Sequence, residues 1–513
     1  MPATTNAPDT LTETAPALCG VWIDGDGRAH LSVDRDGGRE ERVEEGFRPF
    51  AWLAGGDSDS DALDATPGIE IEALKGGGVF TRLAHAGARG AYEDFLAAAK
   101  KSSVGADVLR PLENQFLLQR SARLFGDLAF HQLRRCQLDI ETASSAEGEF
   151  SDPEKPGDRV LAIGLQFSGG AEEGEPRRRI LILDTMTDGA EKTLLGQLND
   201  ALREEDPDVI EGHNIFKFDL DYLRQRARRL KVPCAWGRFG QRASFRNSRL
   251  KVAERWVDFP RCDLPGRAVI DTYLLVQLHD ITTRELTGYG LKDVAVYFGV
   301  TAEDAAETGG RTYLAGDKIH AAFERDRATF LAYLADDLRE TKGVADLLLP
   351  TYFEQARAFP ILLQDATLRG TTVKIDLLFL EEYYHARQAC PAPVEVAAFA
   401  GGYTRSFKEG VFKNVLHFDV ASLYPSLLLL IGRNPGGDTL GVFIPLLRRF
   451  REYRLKYKQL ARTAPTEALR VEYQARQATF KILINSFYGY LGFSGARSGD
   501  GALAAEVTQR GRD

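Results

Sequence analysis

Three separated stretches carry acids at spacings suited to phosphate chemistry. Asp139 and Glu141 stand two apart in a run that begins at Arg135, and on a strand residues i and i+2 point to the same side. Asp219 follows Asn214-Ile-Phe-Lys-Phe218 and opens a helical pattern, while Tyr333 and Asp337 are four apart in another, Thr329 to Leu348. Residues i and i+4 share a helical face. Four such acids could meet around two divalent cations roughly 4 Å apart, a pair that activates water, holds a scissile phosphate and stabilises the leaving oxygen. Taken singly, Asp219 is equally an N-cap, Asp337 equally a solvated helix residue, and Asp336 beside it a rival. Phe218 reads as core packing.

A second constellation lies further on. Val415 to Val420 reads as a buried strand ending at Asp419, followed by a tight Ser422-Leu-Tyr-Pro425 turn. An acid there is costly to hold without a cation, unless it is a solvated strand-end residue. Phe443 to Arg462 and Glu467 to Tyr488 read as two helices joined by Thr463-Ala-Pro465, an antiparallel hairpin. Arg454 and Lys458 share a face of the first; Lys481, Asn485 and Tyr488 share a face of the second. Three cations converging from two helices can hold a triphosphate. Arg448, Arg449, Arg451 and Lys456 read as a solvated face.

Around these stretches the chain divides. Its 513 residues suffice for about three domains. The polar tail, residues 1–16, reads as disordered and lacks the layout of a signal peptide. Short alternating strands follow, such as Leu18 to Ile23 and Ala29 to Val33. From about Phe125 the pattern becomes strands Arg135 to Ile140, Val160 to Phe167 and Arg179 to Leu183, a helix Glu191 to Arg203, a strand Val209 to Gly212 and a helix Asp219 to Leu230. That order suits a ribonuclease-H-like α/β fold whose central strand carries the first acids. Five scattered cysteines without a C-x-x-C pair suggest neither disulfides nor zinc, and fit a reducing cytoplasm. No stretch approaches the roughly 20 apolar residues of a membrane span. Net charge is −9, yet Gly441 to Asp513 holds 13 Lys/Arg against 6 Asp/Glu, a local +7 compatible with phosphate binding.

The motifs D-I-E, N-x-x-x-F-D and Y-x-x-x-D, in this order, resemble the three 3′→5′ exonuclease motifs of family B DNA polymerases of the bacterial and archaeal type. His417 to Ser426 and Lys481 to Gly489 likewise resemble that family's D-x-x-S-L-Y-P-S and K-x-x-x-N-S-x-Y-G polymerase motifs. The resemblance implies Asp139, Glu141, Asp219 and Asp337 as metal ligands, Tyr333 as orienting the attacking water, and Asn214 as contacting the primer end. It implies Asp419 and the Val420 carbonyl as polymerase metal ligands, although the family often has Phe where this chain has Val420. Tyr424 would lie under the sugar of the incoming nucleotide, Arg454, Lys458 and Lys481 would grip its triphosphate, and Asn485 and Tyr488 would complete the nucleotide site. Tyr403, in a Gly-Gly-Tyr loop that reads equally as a surface turn, and Gly489 would contact DNA. Gly266 to Tyr273 and Gly290 to Ala295 look like the family's less diagnostic inter-motif segments. Mg²⁺, or Mn²⁺, would serve both sites.

No Asp-Thr-Asp occurs in the sequence, so the second polymerase carboxylate of the family is missing from it. The expected architecture is therefore a β-rich N-terminal domain (1–125), an exonuclease domain (126–350), a linker and start of the palm (351–440), helical-hairpin fingers (441–490) and a truncated palm segment (491–513), with no thumb. The expected function is a truncated or split family B DNA-directed DNA polymerase with proofreading 3′→5′ exonuclease, whose polymerase site is incomplete. It would act on primer–template DNA and dNTPs in the cytoplasm, with a second chain supplying the remaining palm and thumb. A stand-alone exonuclease and a non-catalytic, polymerase-like DNA-binding subunit are the rivals.

Overall fold

The alternating segments near the start form the antiparallel strands β1 (Ala17–Ile23) and β2 (Ala29–Arg35), extended by β3 (Gly38–Glu44). The computed structural model describes residues 16–35, 38–54, 63, 66–102, 104–145, 149–170, 174–420 and 422–513. The tail expected to be disordered lies outside them except for Pro16. A second sheet contains β4 (Phe50–Ala54), β5 (Ile69–Ala73), β6 (Phe80–Ala86) and β7 (Ala106–Asp107) in the order β5-β6-β4-β7. The helix α1 (Arg89–Lys101) covers it, burying Phe95 and Ala99 against Leu53 and Ala84. Helix α2 (Leu112–Gln119) leads out of this region.

The site rests on the next sheet. The strands β8 (Arg135–Thr142), β9 (Val160–Ser168) and β10 (Arg177–Ile182) form an antiparallel meander. Helix α3 (Asp188–Glu205) returns the chain to β11 (Val209–Gly212), parallel to β8. Helix α4 (Asp219–Leu230) and the hairpin β12 (Ser244–Val252) and β13 (Arg255–Asp263) precede β14 (Ala268–Asp271), parallel to β11. The order β10-β9-β8-β11-β14 makes β8 the central strand, as the sequence predicts.

Helices α5 (Thr272–Thr283) and α6 (Leu291–Tyr297) lead to the long helix α7 (Arg327–Ala358). α7 runs ten residues past the expected end at Leu348 and through Pro350, so the expected domain boundary at 350 falls inside a helix. Its N-terminal half meets the sheet at Gly164, the residue paired with Asp139 across β8 and β9. A Cβ on Gly164 would lie 2.9 Å from methyls of both Leu334 and Leu338. The missing side chain lets α7 sit directly on the strand pair.

Beyond α7, helix α8 (Thr371–Ala386) packs under a helical assembly of α9 (Leu423–Ile431), α10 (Phe443–Thr463), α11 (Glu467–Leu491) and α12 (Gly501–Arg512). α10 and α11 are joined by residues 464–466 and packed through Tyr453 on Phe480 (centroids 5.5 Å apart) and Phe450 on Phe487 (5.9 Å). α11 is tied to α7 as well: Arg476 Nε lies 3.2 Å from Glu354, and the Thr479 hydroxyl donates to the Thr351 carbonyl at 3.3 Å. Among the described residues no helix is long and apolar enough to cross a membrane.

Three local expectations fail. Val415 to Val420 is not a buried strand: the segment has no regular structure, and Leu416 and Phe418 are 79% and 87% exposed. A strand needs a hydrogen-bonded neighbour, and among the described residues none lies beside it. Ser422 to Pro425 is not a tight turn but the entry to α9, with Ser422 in the left-handed region (φ 55°). Phe218 is not core. It is 38% exposed and leans on Tyr222 at 5.7 Å, while Phe216 takes the buried place.

Candidate functional site

Strand period and helix period bring the first acids together. Asp139 and Glu141 leave β8 on the side that α7 covers, and Asp337 comes down from α7. One carboxylate oxygen from each of Asp139, Glu141 and Asp337 lies within 4.8 Å of the other two. Asp219, at the first turn of α4, is buried and accepts the backbone N–H of Ile140 at 3.1 Å. It is thus held between the two β8 acids. Asp336 turns away: it accepts the Thr312 N–H at 2.8 Å and pairs with Arg339 at 3.0 Å.

Electrostatics identify what the cluster can hold. Two unit charges about 5 Å apart interact by roughly 3 kcal/mol at an effective dielectric of about 20. Several such repulsions are comparable with the roughly 5–15 kcal/mol that stabilises a whole domain. Burial, with the neighbouring acids adding to it, accordingly pushes Asp139 and Glu141 well above the usual carboxylate range. Burial raises Asp219 to about 8, and raises Asp337 also. Oxygens on opposite sides of a hard divalent ion stand about 4–5 Å apart, so the donor set suits a divalent cation in both spacing and charge.

Other groups complete the site, and the sequence did not single them out. Lys292 Nζ lies 3.0 Å from the Tyr333 hydroxyl and 4.7 Å from its ring centre. Burial, reinforced by the acids, holds the Tyr333 phenol well above its ordinary value. Arg311 is buried between Asp337 and Glu340. Asp271 caps α5 and accepts N–H bonds from Asn214 (2.9 Å), Phe216 (3.3 Å) and Tyr273 (3.0 Å). It thereby fixes the turn at which Asn214 adopts φ 68°. Lys292 and Asp271 lie in the inter-motif segments named above; nothing local marks Arg311.

The second constellation is more open. Asp419 and Val420 are exposed, and Asp419 joins no acid cluster; among the described residues the one group spaced for a cation is Asp139, Glu141 and Asp337. Tyr424 stacks on Tyr488 (4.3 Å, 28°), which links α9 to α11. Arg454 donates to the Ser422 hydroxyl at 2.6 Å. Lys458, Lys481, Asn485 and Gly489 are exposed, and Tyr403 is 63% exposed. A Cβ on Gly402 would stand 2.8 Å from the Tyr424 hydroxyl, so the Gly401-Gly402 turn reaches the same surface.

Two stretches of the chain match known families. Residues 119–294 match the family described as DNA polymerase family B, exonuclease domain, and residues 438–513 match DNA polymerase family B. A protein of Archaeoglobus fulgidus named DNA polymerase is 27% identical over 395 residues, covering 72% of this chain and 45% of its own. DNA polymerase II of Escherichia coli is 26% identical over 401 residues, covering 74% of this chain and 48% of its own. The chain spans about half the length of the curated relatives it matches. The structure of the family B DNA polymerase from Pyrobaculum calidifontis superposes with a TM-score of 0.72 at 21% identity, covering 96% of this chain and 70% of that one. Over residues 119–294 and 438–513 the chain is thus similar in sequence to family B DNA polymerases, and it shares the fold of one of them.

Proposed function

We propose that Asp139, Glu141, Asp219 and Asp337 form the centre of a 3′→5′ exonuclease that removes the terminal nucleotide of a DNA primer, within a DNA-directed DNA polymerase that proofreads. The observation that carries this reading is the convergence of carboxylates from β8 and α7 at cation spacing, with Asp219 of α4 buried beside them on the Ile140 N–H. Mg²⁺, or Mn²⁺ in its place, is the ion the oxygen donors suit. A pair of divalent ions bound there would acidify a water and stabilise the leaving 3′ oxygen. The four acids would hold the ions. Because its phenol stays protonated, Tyr333 orients the attacking water by hydrogen bonding, and Lys292 keeps the hydroxyl in place. Asn214, presented by its Asp271-anchored turn, contacts the primer end.

The α10–α11 hairpin is read as fingers, in which Arg454, Lys458 and Lys481 grip the triphosphate of the incoming dNTP. Asn485, Tyr488 and Tyr424 line its base and sugar, Tyr403 and Gly489 contact DNA, and Asp419 with the Val420 carbonyl holds the polymerase metal. The domains follow the divisions given above, with α7 shared between the exonuclease and the helical assembly. Without an Asp-Thr-Asp in the 513 residues, DNA extension by these residues alone is not part of the reading. The partners supported are primer–template and dNTPs; nothing in the geometry selects a second protein chain.

The test is incubation of the chain with end-labelled primer–template and Mg²⁺, with and without dNTPs. Shortening of the primer, lost in Asp139→Ala while DNA affinity persists, is the expected result. No shortening by the parent chain excludes the exonuclease and favours a DNA-binding subunit. Lengthening means that another carboxylate completes the site at Asp419.

A further inference from the structure

Arg311 enters the acid cluster from the segment that precedes α7, and its side chain is 0% exposed. Its Nε lies 3.1 Å from one oxygen of Glu340, and its Nη2 lies 3.1 Å from the other. The same Nη2 also contacts Asp337. Glu340 is one turn beyond Asp337 on α7 and accepts the Thr301 hydroxyl at 2.7 Å. The guanidinium carbon stands 5.1 Å from the ring centres of both Tyr313 and Tyr333. The fork is thus anchored on Glu340 by two nitrogens and reaches the acid cluster with one of them.

If Arg311 merely neutralised the buried Glu340, the two-pronged pairing would be enough. The added contact puts a permanent positive charge against a carboxylate that the proposed reaction requires for a cation. A fixed charge at hydrogen-bond range, in a largely buried site, repels a divalent ion and competes for its ligand. Glu340 works the other way, because it draws the guanidinium away from Asp337 and offsets its charge.

We propose that Arg311 is a positioning residue that stands in for a cation at Asp337 and, balanced by Glu340, sets the affinity of the exonuclease centre for its divalent ion. The proposal rests on reading the cluster as that centre. It assigns opposite effects to two neighbouring residues. Arg311→Met, of similar reach and uncharged, binds the ion more tightly, by about tenfold or more. Glu340→Gln frees the guanidinium for Asp337 and binds the ion more weakly, by several-fold. A loss of packing alone loosens the site and weakens binding in both.

The experiment is calorimetric titration of the metal-free chain with Mn²⁺, for the wild type, Arg311→Met, Glu340→Gln and Asp139→Ala, with each fold checked by circular dichroism. Tighter binding in Arg311→Met together with weaker binding in Glu340→Gln is the expected result. Unchanged or weaker binding in a folded Arg311→Met overturns the proposal. If Arg311→Met does not fold, unchanged or tighter binding in Glu340→Gln overturns it. A wild type whose Mn²⁺ binding survives Asp139→Ala overturns instead the reading of the cluster as the metal centre, which keeps the two failures apart.

Discussion

Asp219 accepts the backbone N–H of Ile140 at 3.1 Å, so the helix carrying the second acid motif is pinned between the two acids of the first. The bond gives Asp219 two duties that different substitutions separate. Asn keeps an acceptor at the same place but forfeits the charge; Ala forfeits both. Asp219→Asn is therefore expected to fold with near wild-type stability and to lose exonuclease activity. Asp219→Ala should also be destabilised by roughly 1–3 kcal/mol, the cost of an unsatisfied buried N–H. Urea melts of the two variants beside a primer-shortening assay read both effects; equal stabilities would exclude the hydrogen bond as a determinant.

The seat of α7 on the sheet predicts sensitivity at Gly164. Because a Cβ there would stand 2.9 Å from Leu334 and Leu338 methyls, a larger side chain lifts the helix that carries Tyr333 and Asp337. Gly164→Val should cost roughly 1–3 kcal/mol by overpacking, and lower exonuclease kcat by more than its effect on DNA binding. A variant with wild-type kcat would mean that α7 adjusts without moving Asp337.

Lys374 supplies the pH prediction. It is buried on α8 with its ammonium 2.5 Å from the Gln355 side-chain oxygen and 5.3 Å from the Tyr352 ring centre, and burial lowers its pKa to about 7. Unfolded, the group keeps its proton up to about 10.5. Between these values unfolding takes up a proton, so stability rises with pH across that window, and the penalty is fully present below about 7. Lys374→Met should accordingly stabilise the chain by roughly 2–4 kcal/mol near neutral pH, with the gain fading toward pH of about 10. A gain independent of pH in denaturant melts would show that the lysine is paired.

The α7–α11 junction is an ionic cluster in which Arg476 faces both Glu354 and Glu472, and Arg357 also reaches Glu354 at 3.0 Å. Breaking a largely buried pair from one side leaves charge uncompensated. Arg476→Met should cost roughly 2–4 kcal/mol, and adding Glu354→Gln should return part of it. A double-mutant cycle measures the coupling; strict additivity would mean that Arg357 already satisfies Glu354.

What the sequence determined was local. The two-residue spacing of Asp139 and Glu141 and the four-residue spacing of Tyr333 and Asp337 fixed which acids could share a face. The order of strands and helices between them fixed β8 as the central strand. The α10–α11 hairpin was legible from its apolar periodicity and the Thr463-Ala-Pro465 break. Tertiary structure decided what depends on distant partners. Arg311 meets an acid 26 residues away and Lys292 a tyrosine 41 residues away, and a charged side chain carries no local sign of where its counter-charge will be. The same reason undid Val415 to Val420, since apolar residues mark a segment able to be a strand and only a neighbouring strand makes it one. Asp419 therefore stands exposed beside a formed hairpin, while the four acids of β8, α4 and α7, which a single sheet and one long helix bring together, are already in place.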